Sequence, residues 1–133
     1  MVTYYFILTR KTGKVEEYVR NTLQCCLNSI IKTDSKPESL CVDIKDGSQT
    51  LVMGLMYRPP NATNEISSLL CQVINRAAAR YSQVCVMGDF NHRNVDWSLM
   101  IGNKEIDEFL KVIQDNFSKQ VILEPTRGSN ILD

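Results

Sequence analysis

Two apolar stretches on either side of an Asp-Gly pair constrain the fold of this chain more than any other feature. Every second residue from Leu40 to Ile44 is aliphatic, which is the side-chain period of a β-strand. A second apolar run extends from Leu51 to Tyr57, and Asp46-Gly47 lies between the two. This arrangement predicts an antiparallel hairpin. Pro59-Pro60 then ends the second strand, because proline has no N–H to donate to a sheet.

Two later segments carry the period of amphipathic helices. Thr63 or Asn64 can cap the first, and we expect Asn103 to cap the second. Between them, the apolar run from Val84 to Met87 predicts a strand buried on both faces. Strands in a layer with two helices indicate an α/β fold. The predicted apolar helix faces are Ile66, Leu69, Leu70, Val73, Ile74 and Ala77, and then Ile106, Phe109, Leu110, Ile113 and Phe117.

The ends of the chain are less regular. Val2 to Leu8 is typical of a buried strand, and Gln120 to Leu123 of a last short one. Between Val15 and Ile30 apolar residues recur at helical spacing, so we expect a helix of about four turns there. Glu16-Glu17 suits its first turn. The alternative is a strand beside Leu40 to Ile44.

The composition excludes several classes of protein but does not indicate a binding partner. The 15 basic and 15 acidic residues balance, so there is no basic surplus of the kind that non-specific DNA binding favours. The five cysteines form no CxxC pair and no zinc-ligand spacing. We expect free thiols acting as small core residues, which indicates a reducing, intracellular location, cytoplasmic or nuclear. No apolar run approaches the ~20 residues that span a bilayer.

The segment from Val84 to Asn91 carries the chemistry. An apolar strand ends in Gly88, followed by a carboxylate at Asp89 and a carboxamide at Asn91. In extended backbone two residues at this spacing point to the same side, and α/β proteins commonly bind ligands at strand ends. A carboxylate there can bind a divalent metal, and an amide can donate to a phosphate. The alternative is a plain Gly-Asp turn, and His92 beside it is typical of a structural or exposed histidine.

Four segments of the chain match, in order, the motifs of one known family. They are Gly54-Leu-Met-Tyr-Arg-Pro-Pro60, Gly88-Asp-Phe-Asn91, Asp115-Asn-Phe117 and Glu124-Pro-Thr-Arg-Gly-Ser-Asn-Ile-Leu-Asp133. These segments resemble the endonuclease/exonuclease/phosphatase superfamily, and within it the endonucleases of LINE-type (non-LTR) retrotransposons. The first resembles the strand that carries the active-site tyrosine, the second resembles the superfamily signature, and the last resembles a Thr-rich loop entering a Leu-Asp strand. The resemblance is firm from about residue 40 to 133. It implies a two-sheet β-sandwich flanked by helices, with residues 1–133 forming one partial domain, about half of the whole.

The resemblance also implies roles, with DNA as partner and Mg²⁺ as cofactor. Asp89 would orient the attacking water and bind the metal weakly. Asn91 would hold the scissile phosphate, Tyr57 would hydrogen-bond it, and Asp133 would orient a catalytic histidine. Each of two roles has a structural alternative. The Tyr57 ring could simply pack in the core, and Asp133 could be an acidic residue at a frayed chain end.

Two parts of the family pattern have no counterpart here: the metal-binding glutamate and the Ser-Asp-His motif. The single histidine, His92, lies in neither context. We therefore expect a remnant of a metal-dependent DNA endonuclease, truncated at both ends and without independent activity. The alternatives are an active phosphodiesterase of the same superfamily and a non-catalytic nucleic-acid-binding module.

Overall fold

The described part of the chain forms a four-stranded sheet with two helices. The computed structural model describes residues 23–28, 38–92, 95–104, 106–116 and 118. In chain order the elements are β1 (Gln24–Leu27), β2 (Glu38–Asp46), β3 (Gln49–Tyr57), α1 (Asn64–Arg80), β4 (Val84–Asp89) and α2 (Asp107–Asp115). The strand order is β1-β2-β3-β4, antiparallel except for the parallel β3–β4 pair. This mixed sheet with helices confirms an α/β fold. A second sheet of the expected sandwich is not seen among the described residues.

The predicted hairpin is confirmed. β2 and β3 pair over their whole length, from Glu38 opposite Tyr57 to Asp46 opposite Gln49. That register leaves a two-residue loop of Gly47 and Ser48, and Gly47 has φ +60°. A left-handed first loop position is the pattern of a type II′ turn, which glycine enters without a Cβ penalty.

The helix expected from Val15 to Ile30 is wrong where the structure describes this segment. Residues Gln24–Leu27 form β1, which pairs antiparallel with Val42 to Lys45 of β2. The helical spacing was a local signal, whereas a free sheet edge offers hydrogen bonds to any strand that reaches it. Residues 15–22 and 29–30 lie outside the described part, as do the predicted strands at 2–8 and 120–123.

The sheet buries apolar residues on both faces. Strand alternation sends Val52 and Met56 of β3 toward the helices, where they join the larger core. Met53 points to the opposite face, where it is buried with Val42 and Ile44 of β2. β4 is confirmed as a strand, but its residues are only half-buried rather than buried on both faces. Within the described residues β4 pairs on one side alone, which accounts for the difference.

Helix α1 connects the two parallel strands and covers one face of the sheet. Thr63 is its N-cap, and the Thr63 hydroxyl accepts a hydrogen bond from the Ile66 N–H at 3.4 Å. The cap and the amphipathic pattern were both predicted correctly. The buried residues of α1 are Leu70, Cys71, Val73, Ile74 and Ala77.

Helix α2 packs against α1 but begins later than predicted. Asn103 is not its cap: the Asn103 carbonyl accepts from the Ile106 N–H at 3.0 Å in a preceding turn, and Ile106 is the N-cap. Ile106 makes no side-chain cap hydrogen bond, so the helix depends on burial of Phe109, Leu110 and Val112. Phe117 lies outside the described residues.

The cysteines divide between core and surface. None of the five forms a disulfide, and Cys41 and Cys71 are buried, as expected for small core residues. Cys25 and Cys26 on β1 are exposed, against expectation, because this edge strand presents its side chains to solvent. Among the described residues, neither α1 nor α2 has the length and hydrophobicity of a membrane-spanning helix.

Candidate functional site

Tyr57 and Asp89 are direct neighbours at the carboxyl ends of the parallel strands. They are the last register partners of β3 and β4. Adjacent strands lie about 4.8 Å apart, and partners in register project from the same face. Alternation from Met56 places both residues on the face opposite α1. The fold thus brings together two of the residues that the motifs selected, 32 positions apart in sequence.

Gly88 makes this close approach possible. A Cβ built on Gly88 would lie 1.8 Å from the carbonyl oxygen of Met56, its register partner. No side chain fits that space, since real Cβ contacts stay above 3.0 Å. From the sequence we expected the strand to end in Gly88. Gly88 instead lies inside β4, and the backbone of the neighbouring strand is what a side chain at this position would meet.

Asn91 adopts a left-handed backbone with φ +50°. Its N–H donates to the Asp89 carboxylate at 3.2 Å, and its side-chain amide donates to the Arg58 carbonyl at 2.7 Å. The expectation that extended backbone aligns Asp89 with Asn91 is therefore wrong, because the strand ends at Asp89. Their proximity comes instead from an Asx-type hydrogen bond, and the Asn91 amide fastens the end of β4 to the end of β3.

Arg58 is a functional candidate that sequence reasoning missed. It follows Tyr57 on the α1 side of the sheet and is 8% exposed. Its Nε donates to the Ser67 hydroxyl at 2.9 Å, and its Nη1 to the Phe90 carbonyl at 3.4 Å. The sequence signal that could have identified Arg58 is the Tyr-Arg-Pro-Pro segment, in which a cationic residue directly follows Tyr57. A charged residue at the end of an apolar strand would normally be expected to face solvent.

His92 is held by packing. Its ring centroid lies 4.6 Å from that of Phe109, which also contacts Phe90 at 5.0 Å and Trp97 at 6.4 Å. Burial, and then the positive charge of Arg58, lower the pKa of His92 to about 4. The imidazole is therefore neutral at physiological pH. This agrees with a structural role, the alternative favoured from sequence.

A cleft of about 290 Å³ opens beside these residues on the helix side of the strand ends. Its lining is mainly polar, with one cation and three carboxamides. The lining residues are Arg58, Pro60, Asn61, Asn91, His92, Asn103 and Ile106. Asn91 is the predicted site residue that reaches this cleft; Tyr57 and Asp89 do not line it.

The residues present suit a weakly held magnesium ion. Magnesium is usually bound by one or two carboxylates together with substrate phosphates and water. Asp89 supplies such a carboxylate, of which one oxygen accepts the Asn91 N–H. The described residues contain no group of three or more potential metal-ligand side chains. The donor set thus fits an ion that arrives with a phosphate rather than a preformed cage.

The remaining predicted site residue, Asp133, lies outside the described residues. The roles assigned to Tyr57, Asp89 and Asn91 remain predictions, because position in a fold does not by itself demonstrate chemistry.

Comparison with known proteins identifies the family. The family model described as endonuclease-reverse transcriptase matches residues 51–133, which include both strand ends and the cleft. The chain belongs to the endonuclease-reverse transcriptase family. This confirms the resemblance drawn from the Tyr-Arg-Pro-Pro and Gly-Asp-Phe-Asn segments. The curated proteins contain no match.

A solved structure supports the same fold for this endonuclease-reverse transcriptase chain. The endonuclease domain of TRAS1, a telomere-specific non-LTR retrotransposon, matches with a TM-score of 0.60 and 14% sequence identity. The alignment covers 95% of this chain and 61% of the TRAS1 chain. The protein therefore spans about three fifths of that domain, and at this identity the match describes fold rather than activity.

Proposed function

We propose that this chain carries the phosphate-holding part of a DNA endonuclease site, formed by Tyr57, Asp89 and Asn91. One observation carries the proposal: Tyr57 and Asp89 are register partners at the ends of parallel strands, and Asn91 is hydrogen-bonded to both strand ends. Ligand sites of open α/β sheets lie at this edge. Family membership makes a phosphodiester the substrate class to test first.

Each of the three residues has a role that suits its chemistry. The Tyr57 hydroxyl would donate to a non-bridging phosphate oxygen. The Asn91 amide has two N–H donors, of which the Arg58 carbonyl takes one, so a second can reach the phosphate without adding charge. Asp89 would hold a water or magnesium ion beside the same phosphate. A bound ion would supply positive charge to the phosphate oxygens.

We further propose that the 133-residue chain binds DNA without cutting it at a measurable rate. Its single histidine is His92, which is packed on Phe109 and has a pKa of about 4. A neutral, buried imidazole supplies no positive charge to a phosphoryl transition state at neutral pH. The second candidate is an active phosphodiesterase, which family membership favours. Relaxation of supercoiled plasmid separates the two.

DNA binding with and without Mg²⁺ tests the site. The assay is fluorescence anisotropy of a labelled short duplex, at one fixed ionic strength because phosphate contacts depend on salt. We expect Mg²⁺ to strengthen binding by the wild-type chain, and Asp89→Asn to abolish that enhancement. Asn91→Ala should weaken binding about tenfold, as loss of a hydrogen bond to a charged group does.

Asp46→Asn is the matched control. It removes the same charge at the opposite end of the hairpin, eight residue steps from Tyr57 and so roughly 26 Å away. It should leave the Mg²⁺ enhancement unchanged. An enhancement that survives Asp89→Asn, or that both variants lose equally, rules out Asp89 as the metal-dependent contact.

A further inference from the structure

Arg58 places a positive charge in the protein interior, where no carboxylate of the described residues forms an ion pair with it. Its side chain is more than nine-tenths buried. A guanidinium has five N–H donors. Among the described residues they meet two neutral acceptors, the Ser67 hydroxyl and, at a long 3.4 Å, the Phe90 carbonyl. The one ion pair found in this part of the chain, Lys111 with Asp115, lies on the exposed face of α2. With respect to the described residues, the guanidinium therefore keeps donor capacity.

Burial without a counter-charge is costly, and this cost points to a ligand. An ion removed from water loses solvation that neutral hydrogen bonds replace only in part. A phosphate oxyanion restores the balance, because the planar fork of arginine matches two phosphate oxygens at once. The charge also acts on its surroundings: after burial, it is the second cause that lowers the pKa of the neighbouring His92.

The cleft beside Arg58 has the chemistry of an anion site. Besides Arg58 it is lined by Asn61, Asn91 and Asn103, whose side chains carry amide donors, and by His92, whose ring is neutral. No aspartate or glutamate is among the described residues that line it. A carboxylate-free, partly enclosed cleft with one buried cation favours a phosphate over a cation or an apolar ligand.

The cleft is distinct from the position proposed for the cleaved phosphate. Tyr57 and Asp89 project from the sheet face opposite α1, whereas Arg58 bonds to Ser67 on α1 itself. Asn91 lies between the two, because it is bonded to the Asp89 carboxylate and to the Arg58 carbonyl. Consecutive phosphates of one DNA strand could therefore bind on the two faces of the sheet, at the ends of β3 and β4.

We infer that Arg58 and the cleft residues Asn61, His92 and Asn103 form a second phosphate subsite, which binds a backbone phosphate next to the one at Tyr57, Asp89 and Asn91. This inference rests on the proposed function for its substrate. The opposing explanation is that Arg58 only ties the end of β3 to α1 and β4. In that case its replacement would change stability and leave anion affinity unchanged.

His92 provides the readout, because it lines the cleft and is the chain's single histidine. Its imidazole Hε1 resonance is followed by proton NMR at pH 7.5 in the full 133-residue chain. Two probes are titrated separately at constant ionic strength: inorganic phosphate and a single-stranded thymidine tetranucleotide. No cleavage is measured, so an inactive chain leaves the test intact.

Three variants separate charge, geometry and fold. Arg58→Met removes the charge, and Arg58→Lys keeps the charge but loses the two-pronged fork. Arg80→Met removes an exposed cation in the last turn of α1, 13 residues and roughly 20 Å along the helix from Ser67. Circular dichroism verifies that each variant is folded before titration.

We expect both probes to shift the His92 resonance saturably in the wild-type chain and in Arg80→Met. Arg58→Met should weaken both by at least tenfold, and Arg58→Lys by severalfold. If Arg58→Met does not fold, the Arg58→Lys result decides. Equal affinities in the wild-type chain and the folded Arg58 variants overturn the inference, as does the absence of any saturable shift. Binding of inorganic phosphate without binding of the tetranucleotide rejects the assignment to nucleic acid.

Discussion

Replacing Gly88 by alanine tests whether the close approach of β3 and β4 is what positions the strand ends. The new methyl group would start 1.8 Å from the Met56 carbonyl oxygen, against a practical minimum of 3.0 Å. The two strands must therefore separate locally by about 1.2 Å, or residue 88 must change its backbone conformation. The blocking atom belongs to the backbone of a paired strand, so no side-chain rotation relieves the contact.

The cost follows from what such a movement disrupts. We take the loss of about two ladder hydrogen bonds at about 1 kcal/mol each, and residual backbone strain adds roughly 1–3 kcal/mol. We expect Gly88→Ala to lower the free energy of unfolding by about 3–5 kcal/mol. That is a large fraction of the 5–15 kcal/mol typical of a domain. Urea unfolding followed by circular dichroism measures it.

Gly54→Ala is the matched control on the neighbouring strand. A Cβ at Gly54 would meet the Cε of Met56 at 3.3 Å and the Sγ of Cys41 at 3.6 Å. Both atoms are on side chains, and the methionine end is flexible and can move aside. The expected change is within about 1 kcal/mol. If Gly88→Ala is no more destabilising than Gly54→Ala, the steric reasoning is refuted.

Three further predictions follow from the helices and their contacts. Phe109→Ala should lower the free energy of unfolding by about 3–5 kcal/mol, because the ring is buried and contacts three other rings. Thermal unfolding measures the loss, with Lys111→Ala at an exposed position as the control. Thr63→Ala should cost about 0.5–1 kcal/mol, since the cap bond is long, and Thr63→Ser should restore it. For His92, the folded pKa of about 4 lies below the usual 6.5, so the unfolded chain binds more protons between these values. The contribution of neutral His92 to the free energy of unfolding should be complete above about pH 6.5 and decline toward pH 4. In a His92→Gln variant, the free energy of unfolding should depend less on pH between these values.

The sequence predicts those elements whose signal is local. The hairpin around Gly47 and the helix capped by Thr63 both match, because turn chemistry and amphipathic period act over a few residues. β1 was mistaken for a helix, since Gln24–Leu27 depends on pairing with a strand nearly 20 positions away. The late start of α2 was missed because a turn at Asn103 imitates a cap.

The candidate site also combines features that the local sequence predicts with features that depend on contacts between distant segments. The sequence motifs selected Tyr57 and Asp89, and the parallel pairing of β3 with β4 places the two residues side by side. Nothing local indicated that Asn91 would adopt a left-handed backbone and bond to the Arg58 carbonyl. The burial of the Arg58 side chain was equally hidden, because it depends on α1 returning over the sheet to offer Ser67. Contacts between distant segments decide such features.

The most direct test of the central claim is relaxation of supercoiled plasmid by the purified 133-residue chain with Mg²⁺, compared with its Asp89→Ala variant. The proposed function predicts that the wild-type chain and the variant leave the plasmid equally supercoiled, while the wild-type chain still binds DNA in the anisotropy assay. Relaxation by the wild-type chain that is lost in Asp89→Ala would contradict the claim. It would show instead that Asp89 belongs to a working phosphodiesterase site.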